Sequence, residues 1–236
     1  PEAQLMRTGF QSTFQTAIAV AKMEWRLEWR QGHQLASVAL FAVASVYVAF
    51  QSSDHETSTG AWTAMLWLVY LFSGFTAVGR LFDRERTATR QYLRWTVEPL
   101  GLILGKLAHA ILTTTGLTAL VLTTFVLFLG WPSGLEQAGK PSLLVLGAWL
   151  GGLSVTTTLV FVTAVASQVQ SAGAALSAVL GLPLLLPQII LVTRLTRGAL
   201  LGTPWNTLGE LPLFLAALSV GTSILACILF PYIWRA

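Results

Sequence analysis

The chain has 236 residues, of which 54% are hydrophobic and only 10% are charged, and its formal net charge is +4. Soluble globular domains have about 25% charged residues, so this composition excludes an ordinary soluble protein with one aqueous core and indicates an integral membrane protein. The basic residues are concentrated at the ends of apolar stretches, which is the distribution that sets membrane topology, so the positive charge does not indicate nucleic-acid binding.

The first predicted element is an amphipathic helix at about residues 10–33. Large apolar side chains recur at helical intervals on one face: Phe10, Phe14, Ile18 and Trp25. A separate basic stripe follows at four-residue steps: Lys22, Arg26 and Arg30. Such a pattern favours the headgroup layer, so we expect an elbow helix along the inner leaflet, with a solvated lead-in helix as the alternative. Residues 1–33 contain no compact apolar region, and we expect no signal peptide.

Six apolar segments follow, and most reach the roughly 20 residues that a membrane-spanning helix needs. They are Leu35–Phe50, Ala61–Gly79, Leu100–Leu129, Ser142–Ala166, Ala172–Thr193 and Leu211–Trp234. The third is longer than a membrane is thick, so we expect it to tilt or to begin in the headgroup layer with Lys106 reaching outward. The sequence therefore predicts a single all-α transmembrane domain over residues 1–236, with a six-helix bundle over residues 35–234.

The distribution of lysine and arginine predicts the orientation of these segments. The N-terminal segment, the loops 80–98 and 167–171 and the C-terminus share one side of the membrane. This side has 10 of the 14 basic residues, or 11 with Lys106 just inside the third apolar segment. The other side has Lys140, Arg194 and Arg197. Because cytoplasmic loops are the ones enriched in lysine and arginine, both termini are expected in the cytoplasm.

The densest charge in the chain lies in the loop 80–98, between the second and third apolar segments. Its sequence from Arg80 to Trp95 is RLFDRERTATRQYLRW. The arginines set orientation, but topology alone does not require the two acids. Mixed charges of this kind suit recognition of a partner by a short amphipathic helix, with an ordinary solvated loop as the alternative. The predicted interface residues are Asp83, Arg84, Glu85, Arg86, Arg90 and Arg94.

The fifth apolar segment has a face of small residues four apart: Gly173, Ser177 and Gly181. In membranes such a face allows two helices to approach closely, so we predict helix packing there. Pro183 and Pro187 follow and are expected to bend the helix. The outer loop after this segment, at residues 194–210, is expected to form short helices.

The sequence contains no convincing catalytic or metal-binding motif. The stretch Gly101–Leu107, GLILGKL, is a near miss to a phosphate-binding loop, with one residue too few between the glycines, and we interpret it as part of a membrane helix. The single cysteine, Cys227, excludes a disulfide within the chain. His33, His55 and His109 are scattered and are expected to be polar end groups. We therefore expect neither an enzyme nor a metal or cofactor bound directly to this chain.

Three features together resemble the B subunit of the cytochrome c maturation haem-exporter system, a permease in the ABC transporter superfamily. They are EWRQ at Glu28–Gln31, the stretch LFDRERTATRQYLRWTVEPLGLILGKLAHAI from Leu81 to Ile111, and six spans after an elbow helix. Related export permeases share the spacing from Pro99 to Gly105 and Lys106. The resemblance covers nearly the whole chain and is most specific in the central stretch.

The resemblance implies an ABC-2-type exporter-like fold and a homodimeric permease in the bacterial inner membrane. It implies two copies of a separate cytoplasmic ATPase that binds ATP, and it makes the loop 80–98 the coupling helix for that ATPase. It also implies a haem-handling membrane subunit, a small single-span subunit and a periplasmic haem chaperone. The cargo is then haem, or ATP is used to release the loaded chaperone. An ABC-2-type permease for a lipid or glycan, and a scaffold that transports nothing, are the alternatives.

Overall fold

The computed structural model describes residues 2–30, 32–52, 58–79, 81–82, 93, 95–131, 141–167 and 173–235. In this part of the chain the secondary structure is helical, without strands. The helices are α1 (Glu2–Arg30), α2 (His33–Gln51), α3 (Thr59–Val78), α4 (Pro99–Leu129), α5 (Pro141–Ala166), α6 (Gly173–Leu200), α7 (Trp205–Leu208) and α8 (Glu210–Arg235). The predicted all-α integral membrane class is confirmed.

Within the described ranges, five helices are long and apolar enough to cross a membrane: α3, α4, α5, α6 and α8. The helix α2 meets the same criteria only together with α1, from which it is bent by 71°. The described residues thus contain five candidate spans, or six if the bent pair forms one. The first predicted span, Leu35–Phe50, is the shortest of the six segments, and its helix does not meet the criteria by itself.

Local sequence signals explain several helix ends. The Ser58 hydroxyl accepts a hydrogen bond from the Ala61 amide at 3.3 Å and caps the start of α3. The helix α4 begins at Pro99, whose missing amide hydrogen costs nothing in a first turn, and it ends at Gly130 with a φ of 70°. The helix α6 continues through both of its prolines to Leu200. Of the short helices expected in the outer loop, the structure therefore shows only α7 among the residues it describes.

Hydroxyl groups connect the helices inside the bundle. The side chains of Thr114 on α4 and Thr156 on α5 are hydrogen-bonded at 2.9 Å. The Tyr70 hydroxyl of α3 donates to the Gly152 carbonyl of α5 at 3.3 Å. In a bilayer the hydrophobic effect does not drive helices together, so such bonds and close packing hold the bundle. They fix α3, α4 and α5 as one unit, against which α1 packs.

Candidate functional site

A buried lysine joins three parts of the chain at the end of the bundle where α4 begins. Lys106 is fully buried, and its Nζ lies 2.8 Å from Glu24 Oε1 of α1. The same nitrogen donates to the Leu81 carbonyl at 2.7 Å and lies 5.0 Å from the centroid of the Phe82 ring. A buried ammonium group requires a counter-charge and hydrogen-bond acceptors, and this site supplies both. The expectation that Lys106 reaches outward is therefore wrong.

A second interhelical pair lies one helical turn further along the same two helices. His109 Nε2 of α4 is 2.8 Å from Glu28 Oε2 of α1, and both side chains are nearly buried. The Thr113 hydroxyl donates to the same carboxylate oxygen at 3.3 Å. His109 is thus part of an interhelical contact and not the isolated end group that the sequence indicated. Residues three and four apart share a helix face, so the two pairs form one row.

The helices α1 and α4 approach each other closely at two glycines beside this row. A Cβ atom at Gly105 would lie 2.6 Å from the Ala17 carbonyl oxygen, and one at Gly101 would lie 2.7 Å from the side chain of Thr16. These distances are too short for carbon, so only glycine fits. The stretch GLILGKL is therefore a small-residue packing face of the GxxxG type, with the two interhelical pairs next to it.

The C-terminal helix closes this site from another side. Phe82 is buried, and its ring centroid lies 5.8 Å from that of Phe230 on α8. The Phe230 ring stacks on Trp234, with centroids 5.3 Å apart. We call the whole set the junction cluster: Glu24, Glu28, Leu81, Phe82, Lys106, His109, Phe230 and Trp234. It connects α1, α4, α8 and the first residues of the segment that follows α3.

The predicted partner interface lies outside the described residues. Its members are Asp83, Arg84, Glu85, Arg86, Arg90 and Arg94. The described residues on either side differ sharply in exposure: Phe82 is buried in the junction cluster, whereas Trp95 is 90% exposed. The role of the six interface residues stays a prediction.

The predicted small-residue face lies on α6. A Cβ atom at Gly181 would lie 2.8 Å from Phe75 Cζ of α3 and 3.7 Å from Val162 Cγ1 of α5, and Ser177 is buried. The surroundings of Gly173 lie outside the described residues. The part that this face plays in assembly stays a prediction.

Within the described ranges, no three side chains of histidine, cysteine, aspartate or glutamate come together in a way that suits a metal ion. His33 is exposed at the start of α2, and His55 lies outside the described residues. Cys227 is half-buried on α8. The chemistry that the described residues offer is therefore the pairing of buried ionisable side chains between helices.

Comparison with known proteins assigns the chain to a family. A search of curated protein sequences found no match. The sequence profile of the CcmB protein matches residues 15–235, which include most of α1, the junction cluster and all candidate spans. This match agrees with the resemblance carried by the central stretch of the sequence. The chain therefore belongs to the CcmB family, the membrane permease subunit of the haem-export system for cytochrome c maturation.

Proposed function

We propose that this chain couples ATP hydrolysis on a separate cytoplasmic subunit to haem trafficking, or to the release of a haem-loaded chaperone, during cytochrome c maturation. The observation that carries the coupling proposal is the junction cluster. In it, the residues that open the segment 80–98 are fixed to α1, α4 and α8 together. A subunit that pushes on this segment therefore acts on three helices at once.

Two contacts carry the motion from the segment into the helices. The Leu81 carbonyl accepts a hydrogen bond from Lys106, and Phe82 packs against Phe230. Because Lys106 also pairs with Glu24, a displacement of Leu81 strains both α1 and α4. Close-packed protein interiors have low compressibility and transmit strain, so the displacement is not absorbed locally.

The proposed assembly contains a second copy of this chain and two ATPase subunits. It also contains a haem-handling membrane subunit, a small single-span subunit and a periplasmic haem chaperone. The permease lies in the bacterial inner membrane with both termini and the segment 80–98 in the cytoplasm. The support for this orientation is the excess of basic residues on that side, 10 of 14 without Lys106.

Reversing an acidic charge in the segment is expected to separate the ATPase from the permease. Asp83→Lys or Glu85→Lys places a positive charge against the basic groups of the partner that the native carboxylate would pair with. Like charges in contact cost several kcal/mol, so the affinity should fall at least about tenfold. The measurement is the amount of ATPase that copurifies with the tagged permease. Arg194→Glu is the matched control, since it reverses an exposed charge on α6. Wild-type amounts of ATPase with both variants would refute the assignment.

We also expect the isolated permease to bind no haem in stoichiometric amounts. His109 is only 6% exposed and its Nε2 is engaged by Glu28, so a porphyrin could reach the imidazole only by separating α1 from α4. Replacing His33, His55 and His109 with glutamine should leave the haem content of the assembled complex unchanged. Glutamine at position 109 retains an N–H donor for Glu28, so the fold is preserved. The measurement is the Soret band, and a band from the permease alone that disappears with His55→Gln would contradict the prediction.

A further inference from the structure

A groove of about 290 Å³ lies in the angle between α1 and α2, against α4. Its walls are mainly aliphatic side chains from α2 and α4. The polar side chains in the wall are Glu28 and Thr113, which are hydrogen-bonded to each other. Gly116 also lines the groove, and a Cβ atom added there would meet nothing within 4 Å. The groove is therefore open, apolar over most of its length and polar at one place.

A row of cations runs beside the groove on α1. Lys22, Arg26 and Arg30 are all exposed. At 100° per residue, Trp25 lies on the helix surface between Glu28, which faces the groove, and this basic stripe. Trp25 and Trp29 contact each other edge to face, with ring centroids 5.9 Å apart, and tryptophan favours the headgroup layer of a membrane. The groove thus has an apolar interior, an aromatic rim and cations outside the rim.

We propose that this groove holds one acyl chain of a phospholipid with an anionic headgroup, and that the phosphate lies on the basic stripe of α1. The row of cations outside the aromatic rim decides for this occupant, because Lys22, Arg26 and Arg30 would find no counter-charge beside an apolar protein helix. The helix α4 in the groove wall is long and apolar enough to cross a membrane, where acyl chains are the abundant apolar groups. Cations on an amphipathic helix select anionic headgroups.

The bound chain acts as a wedge between α1 and α2. Since α1 carries Glu24 and Glu28, the wedge also holds these two carboxylates against α4. The lipid is a resident component of the permease, and the inference does not depend on which cargo the complex moves.

The test uses the full chain in nanodiscs that contain equal amounts of phosphatidylglycerol and phosphatidylcholine, followed by native mass spectrometry. Wild-type permease is expected to retain one phosphatidylglycerol per chain, at least about fivefold over phosphatidylcholine. Gly116→Leu fills the groove and should reduce retained lipid at least tenfold. Gly221→Leu is the matched control, because a Cβ atom at Gly221 on α8 also meets nothing within 4 Å. Arg26→Gln should lower the preference for phosphatidylglycerol about fivefold.

Equal retention of the two lipids by the wild type would overturn the headgroup assignment. A folded Gly116→Leu variant that retains as much phosphatidylglycerol as Gly221→Leu would overturn the groove itself. If Gly116→Leu does not fold, Ala39→Leu narrows the same groove from α2 and serves in its place. As an independent readout, added phosphatidylglycerol should raise the thermal midpoint of the wild type and leave that of the groove-filled variant unchanged.

Discussion

Replacing Lys106 with methionine is expected to destabilise the permease by about 3–5 kcal/mol, because it removes the buried ammonium group that pairs with a buried carboxylate. Glu24 is only 6% exposed, and its carboxylate lies 2.8 Å from Lys106 Nζ. The Leu81 carbonyl loses its hydrogen bond to Lys106 at the same time. The measurement is the free energy of unfolding in mixed detergent micelles, together with the ATPase activity of the assembled complex.

A double replacement separates the effect of the unbalanced charge on stability from the effect of the lost Leu81 hydrogen bond on coupling. Exchanging a whole buried ion pair for apolar side chains of similar size is often neutral or stabilising. Lys106→Met combined with Glu24→Leu should therefore recover most of the stability. ATPase coupling should stay low, since the bond from position 106 to Leu81 is not restored. Lys22→Met is the control on α1, because Lys22 is exposed. A single Lys106→Met variant as stable as Lys22→Met would show that the pair does not hold the helices.

The spans were predictable from sequence, whereas the contacts between them were not. Hydropathy measures the free energy of transferring one segment into lipid. This free energy depends on the residues of that segment and not on its neighbours in the fold. The bounds of α3, α4 and α5 accordingly follow the apolar stretches. The helix α6 extends past its predicted end at Thr193 to Leu200. Arg194 and Arg197 in the last two turns lower the hydropathy there, and both are exposed, so the backbone stays helical.

The junction cluster could not be read from the sequence, because its charges are separated by about 80 positions. The helix α1 has acids four residues apart at Glu24 and Glu28, and α4 has bases three residues apart at Lys106 and His109. The matching spacing of the acids on α1 and the basic side chains on α4 is present in the sequence, but it does not show that the two helices meet. No local sequence pattern indicates that α1 packs on α4. From hydropathy alone, Lys106 is assigned to the polar end of a membrane span. The predicted interface in the loop 80–98 lies outside the described residues, so the prediction of that part of the site rests on the sequence alone.

Adding one methyl group at Gly105 is expected to destabilise the protein by about 1–3 kcal/mol, the usual cost of overpacking. The new Cβ atom would lie 2.6 Å from the Ala17 carbonyl oxygen and 2.7 Å from Val20 Cβ. A backbone oxygen cannot rotate away as a side chain does, so α1 as a whole must move outward. Its displacement lengthens the Glu24–Lys106 pair and the Glu28–His109 pair together, because both acids are on α1.

Gly221→Ala is the control for Gly105→Ala, since it makes the same change in a helix interior, on α8, where a Cβ atom meets nothing within 4 Å. Alanine is about 1 kcal/mol better than glycine in a helix interior, so Gly221→Ala should be neutral or stabilising. Gly105→Leu should cost more than Gly105→Ala, and it should also lower coupled ATPase activity. Thermal melts of the three variants in one lipid mixture provide the comparison. Equal midpoints for Gly105→Ala and Gly221→Ala would mean that α1 is not pressed against α4, and the junction cluster would then lose its role in coupling.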